Sequence, residues 1–113
     1  IGDAAVARRV ARRLMAPYLV APICAGFQRW LGRGAALAEV WEHWERGART
    51  AASDAIPDSV VDDLIVHGSP EECRAHVLRY VASGIDTPVV QLVAAGCDLA
   101  TARRGIPPIP DMF

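Results

Sequence analysis

The chain has no lysine: its 12 basic residues are all arginine, in a length of 113. That bias reads as the codon usage of a GC-rich bacterial genome, not as a function. An excess of either charge is also missing. Against 13 acidic residues the formal net charge is −1, which gives no general pull toward nucleic acid or anionic lipid. Cysteine is scarce and odd in number. Cys24, Cys73 and Cys97 share no C-x-x-C spacing. This argues against a disulfide framework and for a reducing cytoplasm, with thiols used as small apolar groups. Long hydrophobic runs are lacking. The longest, Met15 to Phe27, is too short to span a bilayer and is interrupted by Pro17 and Pro22. No secretory signal opens the sequence. Neither nucleic acid nor a membrane is therefore expected as a partner.

What is present suits a packed core. Apolar residues make up 52% and charged residues 22%, the balance of a globular chain and not of a disordered one. The first half reads as helical. Val6, Val10 and Leu14 recur every fourth residue, with Arg8, Arg9, Arg12 and Arg13 on the other side. The segment from Pro17 to Leu31 predicts a second helix after a kink or break. Gly32-Arg33-Gly34 is a turn, too short to cradle a phosphate. Leu37, Val40, Trp41 and Trp44 follow at i, i+3, i+4, i+7 and mark an amphipathic helix. On its outer face Glu42 and Arg46, and Glu45 and Arg49, stand in the favourable i,i+4 order. A shorter helix begins at Pro57 and packs with Val60, Val61 and Leu64.

The clearest punctuation lies between Val66 and Val93. Ser69 is a helix N-cap, Pro70 takes the first helical position and Glu72 completes a capping box. Cys73, Val77, Tyr80 and Val81 share one face, and Gly84 stands where a left-handed residue ends a helix. Short strands are predicted at Ile65–His67 and Thr87–Val93. Near Leu99 one further helical turn is expected, before a tail with Pro107, Pro108 and Pro110.

Each candidate for chemistry has a plain structural counterpart. The arginine stripe is read as a solvated helix face, since no aromatic interleaving supports nucleic-acid binding. Glu39 with His43 and Cys73 with His76 have ligand spacing but no nearby third ligand, so no metal is expected. His67 sits in the turn before a helix. Trp30, Trp41 and Trp44 serve a core or interface more readily than a planar-cofactor pocket. Gln91 is the notable polar residue, amid Val89, Val90, Leu92 and Val93. In a buried parallel strand it points inward, toward a site; on an edge strand it faces out.

The run GSPEECRAHVLRYVASGIDTPVVQLV, preceded by IPDSVVDDLIVHG, resembles the C-terminal signature of the luciferase-like monooxygenase superfamily. It is most similar to the branch that uses the deazaflavin coenzyme F420. RRLMAPYLVAPICAGFQRWLGRG and WEHWERG extend the likeness, to cover about residues 5–93. The resemblance implies an α/β chain forming the C-terminal part of a (β/α)8 (TIM) barrel, mainly helical with one or two short strands. Residues 1–56 are then a helical segment, 57–96 the last α/β unit with Thr87–Val93 similar to the eighth strand, and 97–113 a Pro-rich tail, within a single domain or fragment. A whole barrel needs about 250 residues. Together with an opening Ile1-Gly2-Asp3 that lacks a Met, this makes a cut or truncated product the expectation.

The full-length parent is expected to be a cytoplasmic oxidoreductase binding F420 or FMN. The fragment alone is expected to bind neither and to be inactive. No catalytic residue is transferred, and Gln91 is the one substrate-pocket candidate. The different reading is a non-catalytic helical module that self-associates or binds a partner. Homo-oligomerisation is expected on the ground that the Leu37–Trp44 and Val60–Leu64 faces would stay uncovered without a sheet.

Overall fold

Seven helices order the described residues, 3–104, of the computed structural model: α1 (Ala4–Val20), α2 (Pro22–Trp30), α3 (Gly34–Glu45), α4 (Arg49–Asp54), α5 (Asp58–Leu64), α6 (Pro70–Ala82) and α7 (Leu99–Arg104). The chain divides into two units. One is Arg8–Ile65; the other comprises residues 1–7 and 66–113. The prolines of the tail lie outside the described residues.

The Arg8–Ile65 unit closes a core of its own. Ala11, Met15, Ala16 and Leu19 of α1 cluster with Leu37 and Val40 of α3, Ala52 of α4, Ile56, and Val60 and Val61 of α5. Trp41, Trp44 and Leu64 pack at its margin. The predicted faces of α3 and α5 are thus buried within this one unit, against α1, α4 and one another and not against a sheet. This removes the ground given above for oligomerisation, because those faces are already covered.

The side of α1 that turns inward differs from the expected one. Leu14 is 46% exposed, while Arg8, Ala11, Arg12, Met15, Ala16 and Leu19 form the inward stripe. Alanine hides a stripe from a reading based on large residues, and long arginines bury their stems while their heads find partners. Arg9 and Arg13 are exposed, as expected.

Pro17 lies within α1, which runs on to Val20. The break comes at Ala21, whose φ −58°, ψ 133° is the extended conformation imposed by the proline after it. Pro22 then starts α2. At the other end of α2 the Gly32 N–H donates to Arg29 O and the Arg33 N–H to Gln28 O. These bonds satisfy two of the last carbonyls around a Gly32 at φ +86°. A like pair, Gly47 to Trp44 and Ala48 to His43, ends α3. Glu42 and Arg46 pair at 3.8 Å. Because α3 stops at Glu45, Arg49 instead opens α4, which the sequence pattern had not signalled.

In the second unit α6 spans residues 70–82 as predicted. The Ser69 hydroxyl accepts from Glu72 N at 3.2 Å, and Glu72 Oε2 accepts from Ser69 N at 2.7 Å. Cys73 and Val77 are buried, whereas Tyr80 is 38% exposed and stacks on His76. The two predicted strands are not formed. Among the described residues there is no strand, and Val89 is 93% exposed. A strand exists only through hydrogen bonds to a neighbour. Ile65 has extended angles, φ −121°, ψ 121°, but no partner makes a ladder of it. The description "α/β" therefore gives way to a helical chain over the described residues.

The capping box makes α6 sensitive to acid. The Glu72 carboxyl is held below its ordinary value of 4.5, first by the Ser69 backbone N–H and then by the Ser69 hydroxyl. A depressed carboxyl stabilises the fold above its unfolded pKa and loses that contribution as pH falls through the lower, folded value. The first turn of α6 is therefore expected to fray as pH drops below 4.5. Chemical shifts of residues 70–74 should report this fraying, and the step should be absent in Glu72→Gln.

Candidate functional site

Among the described residues, a dense polar constellation joins α1 to α5. Arg8 and Arg12 stand one turn apart on α1, and Asp58 and Asp62 one turn apart on α5. Arg8 Nε donates to Asp62 Oδ1 at 2.9 Å and Nη2 to Oδ2 at 2.8 Å, a bidentate pair. Arg12 Nε donates to the Ile56 carbonyl at 2.8 Å, and its Nη2 pairs with Asp58. The hydrogen bond that Arg8 donates to Asp62 raises the Arg8 pKa further, so this cation is permanent. Elsewhere in the unit Arg33 donates to the buried Gln28 Oε1 at 3.0 Å and meets Asp63 at 3.4 Å. Gln28, Asp58, Asp62 and Asp63 were not singled out from the sequence. The signal for two of them was there, as acidic and basic pairs with the same i,i+4 spacing on two helices.

The tryptophans are likewise occupied. Trp41 Nε1 donates to the Leu19 carbonyl at 3.0 Å, one of those that the end of α1 leaves without an intrahelical partner. Arg29 lies 4.2 Å over the Trp41 ring and Arg49 3.8 Å over that of Trp44. Trp30 stacks on Phe27 with centroids 5.8 Å apart and is 79% exposed.

The proposed ligand pairs stay pairs. Glu39 Oε1 and His43 Nε2 are 3.8 Å apart. The Cys73 thiol points at the Gly68 carbonyl, 3.9 Å away, and the His76 ring lies against Tyr80, centroids 5.4 Å apart. Among the described residues no three of His, Cys, Asp or Glu gather to hold a metal. Burial pushes the Cys73 thiol above its ordinary range, so it is protonated at neutral pH and a poor nucleophile. His67 is half-buried beside this turn. Gln91 is exposed within the unpaired run after Pro88.

A flavin or deazaflavin needs a flat apolar slot for its ring and free donors for its charged tail. The described residues do not fit one. Guanidinium groups already cover the rings of Trp41 and Trp44, and Trp30 stands in solvent. The half-buried arginines Arg8, Arg12 and Arg33 are committed to aspartates. What the arrangement does is fasten helices together. No helix among the described residues is long and apolar enough to cross a membrane.

A family model described as luciferase-like monooxygenase matches residues 2–87. No curated protein and no solved structure matches the chain.

Proposed function

The chain belongs to the luciferase-like monooxygenase family, and from that we propose that it is the C-terminal helical part of a (β/α)8 barrel oxidoreductase. The parent enzyme works in a bacterial cytoplasm with coenzyme F420 or FMN. The observation that carries this reading is the match over residues 2–87, which takes in α6 and its capped start. On this reading Thr87–Val93 is the eighth barrel strand and takes up its ladder when the remaining strands of the parent flank it. Gln91 then lines the substrate pocket at the barrel mouth. The fragment by itself is inactive, since the strands that position a cofactor and move protons lie in the rest of the parent.

Titration of the purified full-length parent with F420 and with FMN tests this. One of the two is expected to bind at micromolar concentration, while the 113-residue chain binds neither. A folded parent that binds neither cofactor overturns the proposal.

One observation favours a second reading, a helical module acting by association. Leu37, Val40 and Val61 are 0% exposed without any sheet to cover them. A chain that closes its own core can serve as a binding unit, and loss of cofactor binding in the parent would support that reading.

A further inference from the structure

Among the described residues, burial is shared unequally between the two units. Apart from Cys73 and Val77, every buried hydrophobic side chain lies in Arg8–Ile65. In the other unit Ile85, Val89, Val90 and Val93 are exposed. Yet the well-packed unit is the inner one in sequence. The chain enters it at Arg8 and leaves it at Ile65, and residues 1–7 and 66–113 fall together in the other unit.

The entry and the exit are tied to each other. Arg8 is the first residue of the unit, and Asp62 stands three before the last. They are 54 apart in sequence and joined by the bidentate pair. One turn along, Arg12 reaches the Ile56 carbonyl and Asp58. Helix α1 starts at Ala4, so it crosses the boundary between Ala7 and Arg8, and the pair grips it at the crossing.

A segment with few buried apolar contacts opens at a smaller free energy than a packed core. Such an opening would ordinarily spread along the continuous helix α1 and along the chain that leaves α5. It would then fray the core from both ends. With Arg8 held on Asp62 the two ends cannot part, and the loop between them stays closed.

We propose that Arg8–Ile65 is a clasped insert, which stays folded while Val66–Arg104 opens, and that the Arg8–Asp62 pair is the stop that keeps the opening from spreading. The order of opening follows from burial, and the stop follows from where the pair sits. If the parent is the barrel enzyme proposed above, α6 and Thr87–Val93 adjust to its strands at no cost to the Arg8–Ile65 core.

Hydrogen exchange of the folded 113-residue chain in low urea, followed amide by amide by NMR, tests the inference whatever the parent binds. Amides of α6 are expected to exchange at least ~10-fold faster than those of α3, through an opening of their own. Those of residues 60–65 should keep pace with α3. In Asp62→Asn, which keeps the shape but loses the charge and one acceptor, residues 60–65 should instead keep pace with α6. Asp63→Asn alters the neighbour that meets Arg33 and should leave the wild-type grouping. If Asp62→Asn fails to fold, Arg8→Lys decides. It keeps the charge and loses the two-pronged fork, and the same regrouping is expected. One shared opening for α3 and α6 in the wild-type chain overturns the proposal. So does the absence of regrouping in the deciding variant, or an equal regrouping in Asp63→Asn.

Discussion

Replacing Leu37 by alanine is expected to remove about 2–5 kcal/mol from the stability of the Arg8–Ile65 unit. Leu37 is 0% exposed and central to the cluster that α1, α3, α4 and α5 share. Truncation there loses the transfer energy of the removed carbons and leaves a cavity, because the surrounding helices relax only in part. A domain of this size has about 5–15 kcal/mol in total, so the loss is a substantial fraction of it. Urea denaturation followed by far-UV circular dichroism would measure the shift. Leu14→Ala is the informative companion. The four-residue recurrence of Val6, Val10 and Leu14 marks Leu14 as core, whereas its 46% exposure puts the expected loss within about 0.5 kcal/mol. Equal losses for the two variants would show that α1 presents its other side to the core.

Gly68→Ala should be nearly as damaging, for a local reason. Gly68 has φ +116°, where side chains are strained, and a Cβ there would lie 2.4 Å from Glu72 Oε2 and 3.3 Å from Glu72 Cβ. The carboxylate can swing aside, but only by releasing the Ser69 N–H that it accepts. The β-carbon of Glu72 is fixed by the helix and cannot. Backbone strain of this kind costs about 1–3 kcal/mol, with loss of half the capping box added. The expected result is a lower urea midpoint together with loss of helical chemical shifts at residues 70–74. A variant with wild-type shifts in that turn would mean the backbone has another way to enter α6.

The contrast between α6 and the segment after it shows where a sequence stops being readable. Ser69, Pro70, Glu72 and Gly84 act within a few residues of themselves, so α6 could be bounded correctly at both ends. The same holds for the faces of α3 and α5. Thr87–Val93 has the composition of a strand, but its hydrogen bonds need partners far away in sequence, and none is present among the described residues. The orientation of α1 was hidden for a related reason. Arg8 and Arg12 read as a solvated stripe until Asp62 and Asp58, 54 and 46 residues on, are placed opposite them. Helix α4 lacks a stripe of large residues and is held by the burial of Ala52 and Ser53, which no periodicity announces. Gln91 was chosen for its place in a strand, and without the strand the reason for choosing it lies with the parent.

All three tryptophans of the chain, Trp30, Trp41 and Trp44, fall in Arg8–Ile65. Their emission is thus an optical label built into one unit and blind to α6 and α7. The circular dichroism of the backbone sees both. Recorded on the same urea series, the two signals form a differential pair. Superimposed curves would mean that the chain melts as one body, and a gap between them would measure how unequally its stability is shared.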